Sequence, residues 1–452
     1  MDLSKSILRG DKGIWAIFFI LCVISMVEVF SSSIALSQTQ GIHLSPIMKH
    51  FILLISGLFI VILVHNIPYR WYSVGLILVP ISFILLIVVM FWGEERGLSA
   101  RWLKIFGIQF QPSELAKLAV VIFIAFLLGR MQDTKESKNN TFKVLKYVLA
   151  ALCLPILYDN FSTAALLFAV SIIMMIIGKI PLVKIGKVLL VVIAGVAVIY
   201  FTAPLFTDDS PKEPEKELTE QTDTGVKKVL KRFRGTTWRS RIDQFNDVIH
   251  EKAPAEFMKN DKNRQSGYAR MAIARGGFSP KLPGNSYIRN FLPEANSDFI
   301  YAVIIEELGI AGGVIVIILY LALLIRCGRL VQKSQRKFPA YLLIGCALII
   351  TCQAIIHILV CVQLFPVTGQ PLPLISKGGT SGWITCVYFG IMLSISRTLI
   401  PSEIEKDEEF VKNSEELPEN IINKEMIQDI PPIREIINPE IHYKDSFREI
   451  DN

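Results

Sequence analysis

Charge is scarce in this 452-residue chain: Asp, Glu, Lys and Arg make up 19% of it, against about 25% in soluble domains. With 52% hydrophobic residues and a mean hydropathy of +0.47, the expectation is a polytopic membrane protein. Seven cysteines lie inside or beside apolar runs with no CxxC or Cys/His spacing, which argues against a disulfide framework and a zinc site. They read as small buried hydrophobes. The six histidines are scattered, and no Walker A, GxSxG, HExxH or strand-borne GxGxxG motif occurs. Nucleotide hydrolysis, serine hydrolysis and zinc proteolysis therefore have no support. The same composition argues against collagen, coiled coil, a secreted miniprotein and a nucleic-acid-binding domain.

What the chain has in abundance is apolar runs near the ~20 residues that cross a bilayer. They fall at about 14–36, 50–67, 71–92, 112–130, 143–158, 162–179, 184–204, 298–325, 340–363 and 380–400. The reading is an all-α polytopic membrane protein of ten transmembrane helices. Lys5, Arg9 and Lys12 precede the first run, which is longer than a signal-peptide core and has no small-residue cleavage site after it, so it is expected to stay. The loops on one side carry Arg70, Arg130, Lys135, Lys138, Lys143, Lys146, Lys179, Lys184, Lys187, Arg326, Arg329, Lys333, Arg336 and Lys337 against only Asp133 and Glu136. By the positive-inside rule both termini are expected in the cytoplasm. Residues 1–400 form the expected membrane domain, with a large extracytoplasmic loop at 205–297 between helices 7 and 8. A connection of that length is functional or an appended substructure. The tail 401–452, with 15 acidic residues against six basic ones, is expected to be disordered.

Five places carry chemistry, since ionisable groups at membrane depth usually face a cavity or each other. Arg101-Trp102 leads to a run in which Pro112 suits a first helical position and Glu114 and Lys117 share a helix face. This is a site-facing pair or an ordinary cap with an interfacial ion pair. Asp159 sits in the tight turn of a helical hairpin and is a site residue or a plain turn residue. Glu294 and Asp298 lie where the outer loop enters span eight, with Glu306 and Glu307 about two turns deeper. Asp298 is a rim carboxylate or a helix cap, and the adjacent pair needs hydrogen-bonding or cationic partners. Residues 365–382 hold three prolines and four glycines, a fixed non-helical loop tolerable at membrane depth only if buried in protein or lining a cavity. There Ser376 and Lys377 precede Gly378 and Gly379, whose backbone N–H groups suit an anion. Arg239, Arg241, Arg270, Arg275 and Arg289 in the outer loop suit a phosphate-bearing lipid or are simply solvated. Glu28, beside Ser31, Ser32 and Ser33, reads as a structural polar contact.

Together FQPSELAKL (110–118), Asp159 with Thr163-Ala164, LPEANSDFIYAV (292–303) with EELG (306–309), and PVTGQPLPLISKGGTS (366–381) resemble the SEDS family of RodA and FtsW proteins. The motifs occur in the family's order over about residues 14–400. Asn296, Ile305 and Lys377 stand where the family often has His, Gly and Tyr, and the hairpin reads Tyr-Asp-Asn-Phe-Ser-Thr-Ala instead of the usual Pro-Asp-Leu/Phe-Gly-Thr-Ala. The resemblance implies a peptidoglycan glycosyltransferase polymerising lipid II on the outer face of the bacterial inner membrane, with release of undecaprenyl pyrophosphate. Pro366-Val367-Thr368-Gly369-Gln370 is similar to the form of this loop in the division branch, which implies work at the septum.

By the same resemblance Asp298 is the catalytic residue, and Glu114, Lys117, Asp159, Arg101, Arg275, Glu294, Ser376, Lys377, Gly378 and Gly379 bind substrate. No resident metal or other cofactor is required by the motifs; a divalent cation (Mg2+ or Mn2+) bridging pyrophosphate and carboxylates such as Asp159 is compatible with them. Implied partners are a class B penicillin-binding protein transpeptidase, other divisome proteins and membrane lipids, and no nucleic acid. The rival readings are a lipid II flippase, an elongation-type polymerase and a non-catalytic scaffold. The lack of an internal repeat weighs against a transporter.

Overall fold

In hydrocarbon every backbone polar group must be satisfied within its own segment, so long apolar runs have little choice but helix. The computed structural model describes residues 9–40, 45–96, 99–105, 108–202, 241–242, 245–246, 263–278 and 280–399. Its long helices are α1 (Lys12–Gln40), α2 (Ser45–Asn66), α3 (Leu78–Trp92), α4 (Pro112–Arg130), α5 (Lys135–Asp159), α6 (Phe161–Ile177) and α7 (Leu182–Thr202). They continue with α8 (Arg264–Gly276), α9 (Ile300–Gln332), α10 (Lys337–Cys361) and α11 (Thr380–Leu399). Among the described residues, eight helical stretches are long and apolar enough to cross a membrane, and α6 is a shorter apolar helix. The expectation of a polytopic helical membrane protein holds. Residues 203–240, most of 243–262 and the tail 401–452 lie outside the described residues.

One element departs from the all-α expectation. Between α3 and α4 run three antiparallel strands, β1 (Glu94–Arg96), β2 (Ser99–Ile105) and β3 (Ile108–Phe110), in the order β1-β2-β3. Leu103 pairs with Phe110 and Lys104 with Gln109. Leu103 is buried and Lys104 exposed, the period-two pattern of a strand with one covered face.

Burial sorts the helices. The windows of α4 and α10 are each 72% buried and that of α11 is 67%, whereas α2 is 22% buried and the stretch through α3 17%. Thus α4, α10 and α11 form the centre, with α10 packed on α4 and α11 on α2. Small side chains on α4, Ala116, Ala119 and Ala125, are fully buried and let its neighbours approach. Pro112 opens α4, Glu114 lies in its first turn and Arg130 in its last, each at the end of the helix dipole that favours it. At the other face the Asp11 carboxylate caps Ile14 N–H and holds Arg326 of α9 through three contacts of 2.7–2.9 Å.

Helices α5 and α6 form the expected tight hairpin, and a single residue joins them. The Asn160 N–H bonds Ile156 O at the end of α5 while its side-chain oxygen accepts from Thr163 N at the start of α6. Asp159 is the last residue of α5, and its side chain, like that of Arg101 on β2, lies outside the described residues.

Helix α9 breaks at Gly309, where φ is 69° and ψ −177°. Such a break strands backbone groups, and the segment after α8 supplies partners: Ile310 N–H bonds Gly277 O, and Lys281 N–H bonds Glu307 O. Only glycine fits here, since φ is in the left-handed region and a Cβ would press on the carbonyls of Phe278 and Gly277. Gly276, the last residue of α8, lies flat on α9; a Cβ there would collide with the Ile305 carbonyl. The first half of α9, which begins two residues after Asp298, is thereby fixed against the segment that follows α8.

Candidate active site

Residues 366–379 form the non-helical loop, and its carbonyls are gripped from several elements. Pro371 O accepts from Gln353 Nε2 at 2.9 Å, Pro373 O from Tyr320 at 2.5 Å, Ile375 O from Ser25 at 2.9 Å and Val367 O from Arg241 at 2.9 Å. The Gln370 carbonyl bonds His357 Nδ1 at 2.8 Å and its side-chain amide donates to Thr163 at the start of α6. Irregular backbone is tolerable at this depth because protein groups replace water. Leu372, Leu374 and Ile375 are buried, so the loop is part of the core.

The loop's end meets the start of α9. Ser376 Oγ donates to Ser297 O at 2.6 Å and accepts from Leu372 N at 2.8 Å, and Lys377 N–H bonds Asn296 O at 2.9 Å. Asp298 is half-buried, and Ser297 Oγ reaches its Oδ1 at 3.5 Å and the Glu294 carboxylate at 2.8 Å. Glu294 adopts φ 55°, and its carbonyl gathers the N–H groups of Ser297, Asp298 and Phe299. That turn hands the chain into α9 with Asp298 beside the positive end of the helix dipole, a setting that favours a carboxylate. Lys377 and Gly379 are exposed, and open space surrounds the position of a Cβ at Gly379. Asp298, Glu294, Ser376, Lys377, Gly378 and Gly379 therefore lie together.

Beneath them Lys117 and Glu114 form an ion pair at 2.8 Å with side chains 1% and 5% exposed. Lys117 Nζ also donates to Gln353 Oε1 at 2.7 Å, and Gln353 carries the Pro371 carbonyl. The pair braces the loop from below. A parallel chain runs from Thr163 through Gln370 and His357 to Cys361, whose Sγ contacts Asp298 O at 3.6 Å. Gln353 and His357 were not singled out in the sequence; one Gln and one His in the apolar 25-residue α10 were the available signal.

Glu306 and Glu307 find the partners they require. Arg275 reaches Glu306 at 3.2 Å and stands over the Tyr287 ring, while Glu306 also accepts from Ser286 and from the N–H groups of Tyr287 and Ile288. Glu307 accepts from Ser31, from Ser286 N at 3.2 Å and from Arg289 at 3.2 Å. Arg275 thus sits on this second cluster. Glu28 departs from expectation: it is fully buried, yet neither carboxylate oxygen has a hydrogen-bond partner among the described residues. The divalent cation of the sequence reading has no site made of three His, Cys, Asp or Glu side chains among the described residues.

Comparisons with known proteins agree with this architecture. Residues 11–400 match the family model of FtsW, RodA and SpoVE, described as cell cycle proteins. The chain is 27% identical over 397 residues to the probable peptidoglycan glycosyltransferase FtsW of Hahella chejuensis, covering 86% of this chain and 90% of that one. It is 29% identical over 389 residues to the probable peptidoglycan glycosyltransferase FtsW of Pseudomonas fluorescens, covering 84% and 86%. Among solved structures it resembles a chain from a peptidoglycan synthase complex that coordinates polymerization and crosslinking, with a TM-score of 0.64, 18% identity and coverage of 87% and 100%. It also resembles the rod shape determining protein RodA of Thermus thermophilus, with a TM-score of 0.56, 17% identity and coverage of 87% and 99%.

Proposed function

The chain belongs to the FtsW/RodA/SpoVE family of cell cycle proteins, and from that premise we propose that it is a peptidoglycan glycosyltransferase of septal cell-wall synthesis. It polymerises lipid II into β-1,4 glycan strands and releases undecaprenyl pyrophosphate. The observation that carries the reading is the half-buried Asp298 carboxylate set beside the exposed Lys377 and Gly379 of a loop pinned into the core. The naming of curated relatives as peptidoglycan glycosyltransferases supports the activity.

The 4-hydroxyl of an acceptor GlcNAc attacks the anomeric carbon of the donor MurNAc. The new C–O bond forms as the bond to pyrophosphate breaks, and the configuration inverts from α to β. Asp298 takes the hydroxyl proton as general base. The pyrophosphate departs with the bonding electron pair, so no paired acid is required; positive charge where negative charge develops is what helps. Lys377 and the Gly378-Gly379 backbone at the start of α11 supply it from the loop, whereas Arg275 is paired with Glu306 in the second cluster. Ser376 and Glu294 shape the turn that carries Asp298. Glu114 and Lys117 hold the loop, and the family resemblance adds Asp159 and Arg101 as substrate-binding residues. No step is drawn through a metal ion.

The chain has ten spans, residues 205–297 outside and both termini in the cytoplasm, as the loop charges support. It works at the division septum of the inner membrane beside a class B penicillin-binding protein transpeptidase and other divisome proteins; its likeness to a chain of a synthase complex supports such a partner. Purified protein given labelled lipid II should release one undecaprenyl pyrophosphate per disaccharide added to a strand. Movement of intact lipid II across a vesicle membrane without this release would instead establish a flippase.

A further inference from the structure

Three carboxylates and two guanidinium groups meet where α1, α8, the segment 284–290 and the first half of α9 come together. Arg275 pairs with Glu306 and Arg289 with Glu307, which leaves Glu28 of α1 without a counter-charge among the described residues. Glu28 is 0% exposed and, among the described residues, both its oxygens lack partners; Ser31, one turn further along α1, bonds Glu307, which brings the two carboxylates into one neighbourhood. Glu307 Oε2 is buried and unpartnered as well. Among the described residues three buried acceptor oxygens of this cluster thus lack a donor, and one buried donor, the Arg289 Nε–H, lacks an acceptor.

We propose that Glu28 and Glu307 form a binding site for one positive charge, an alkali cation or a proton, which holds the segment Gly284–Arg289 down on α1. The charge count selects a single charge. A divalent ion would overcompensate, and no third His, Cys, Asp or Glu among the described residues completes a shell for one. Among the described surrounding groups the one uncommitted donor is the buried Arg289 Nε–H, whose guanidinium charge is already set against Glu307. On α1 itself Ser31 is committed to Glu307, Arg289 and Gly284. From α2 comes His50, bonded to Ser25, which lies one turn from Glu28 on α1. From α11 Cys386 faces Cys22, and from α9 and α8 come Glu306 and Arg275, already paired. With the charge in place, Glu307 can keep both Ser31 and Arg289, which ties the outer segment to α1. Without it, the two carboxylates repel and that tie loosens nine residues from Asp298. The site stands whether or not the transferase reading does.

The test is the melting midpoint of the full chain in detergent, wild type beside Glu28→Gln, whose amide removes the charge and offers Glu307 a donor. One series replaces N-methylglucamine chloride by sodium or potassium chloride at constant ionic strength and pH. The other varies pH across roughly 5 to 9 at fixed sodium. A saturable rise with sodium or potassium in the wild type, absent in Glu28→Gln, identifies an alkali cation; a one-proton transition absent in the variant identifies a proton. Glu28→Leu, which removes the charge without adding a donor, must lose the same dependence. A wild type indifferent to both series, or variants that respond as the wild type does, overturns the proposal.

Discussion

Removing the amine of Lys117 while leaving Glu114 in place is the sharpest perturbation of the site's foundation. At 2.8 Å, with both side chains almost fully buried, the Coulomb attraction is about 6 kcal/mol for an effective dielectric near 20. Taking each ion out of water costs several kcal/mol, so the intact pair is worth little net, whereas a lone buried charge costs about 3–5 kcal/mol. Lys117→Met also removes the charge-assisted bond to Gln353, worth about 1.5–3 kcal/mol. The single variant should therefore lose about 3–5 kcal/mol and melt several degrees lower in detergent. The double variant Glu114→Gln/Lys117→Met should recover most of that loss, giving a coupling well above the roughly 0.3–0.5 kcal/mol of independent sites. The assay is the four-corner cycle of melting midpoints, with strand synthesis measured on each corner. A Lys117→Met protein as stable as the wild type, or losses that simply add, would refute the reasoning.

Ser376→Ala removes the hydroxyl shared by Leu372 N and Ser297 O. It should cost about 1–3 kcal/mol and lower strand synthesis more than lipid II binding, read by turnover beside a binding titration. Gln353→Leu breaks the link from Lys117 to the Pro371 carbonyl; increased protease cleavage within 366–379 is the expected sign, and an unchanged digestion pattern would count against the link. Gly309→Ala forces a Cβ into the left-handed region and should destabilise by about 1–3 kcal/mol, seen as faster hydrogen exchange in 277–282. Asp11→Ala removes the cap on Ile14 and the fork held by Arg326, so exchange should rise at the start of α1 while strand synthesis persists.

The helices were legible because long apolar runs favour helix: each expected run has a helix over it, and among the described residues eight helical stretches have the length and hydropathy of a span. The Glu114–Lys117 pair was legible because three residues apart on a helix is one face. The strands between α3 and α4 were missed, since three- and seven-residue stretches rich in Glu, Arg and Lys resemble a loop connector. The break at Gly309 was hidden inside a run long enough to read as one continuous span. What joins the site is legible least. Lys117 meets Gln353 across 236 positions and Ser376 meets Ser297 across 79, and such pairings arise only from packing. Glu28 was expected to find a polar contact among its neighbouring serines, but Ser31 is taken by Glu307 and Arg289.

The most direct measurement incubates the purified protein, with and without a class B transpeptidase, with lipid II and a divalent cation, and separates the products by length beside Asp298→Asn. Long glycan strands from the wild type and none from a folded Asp298→Asn protein are the predicted result. Strands of undiminished length and yield from Asp298→Asn would remove Asp298 from its role as base, and no strands from folded wild-type protein that binds lipid II would contradict the glycosyltransferase itself.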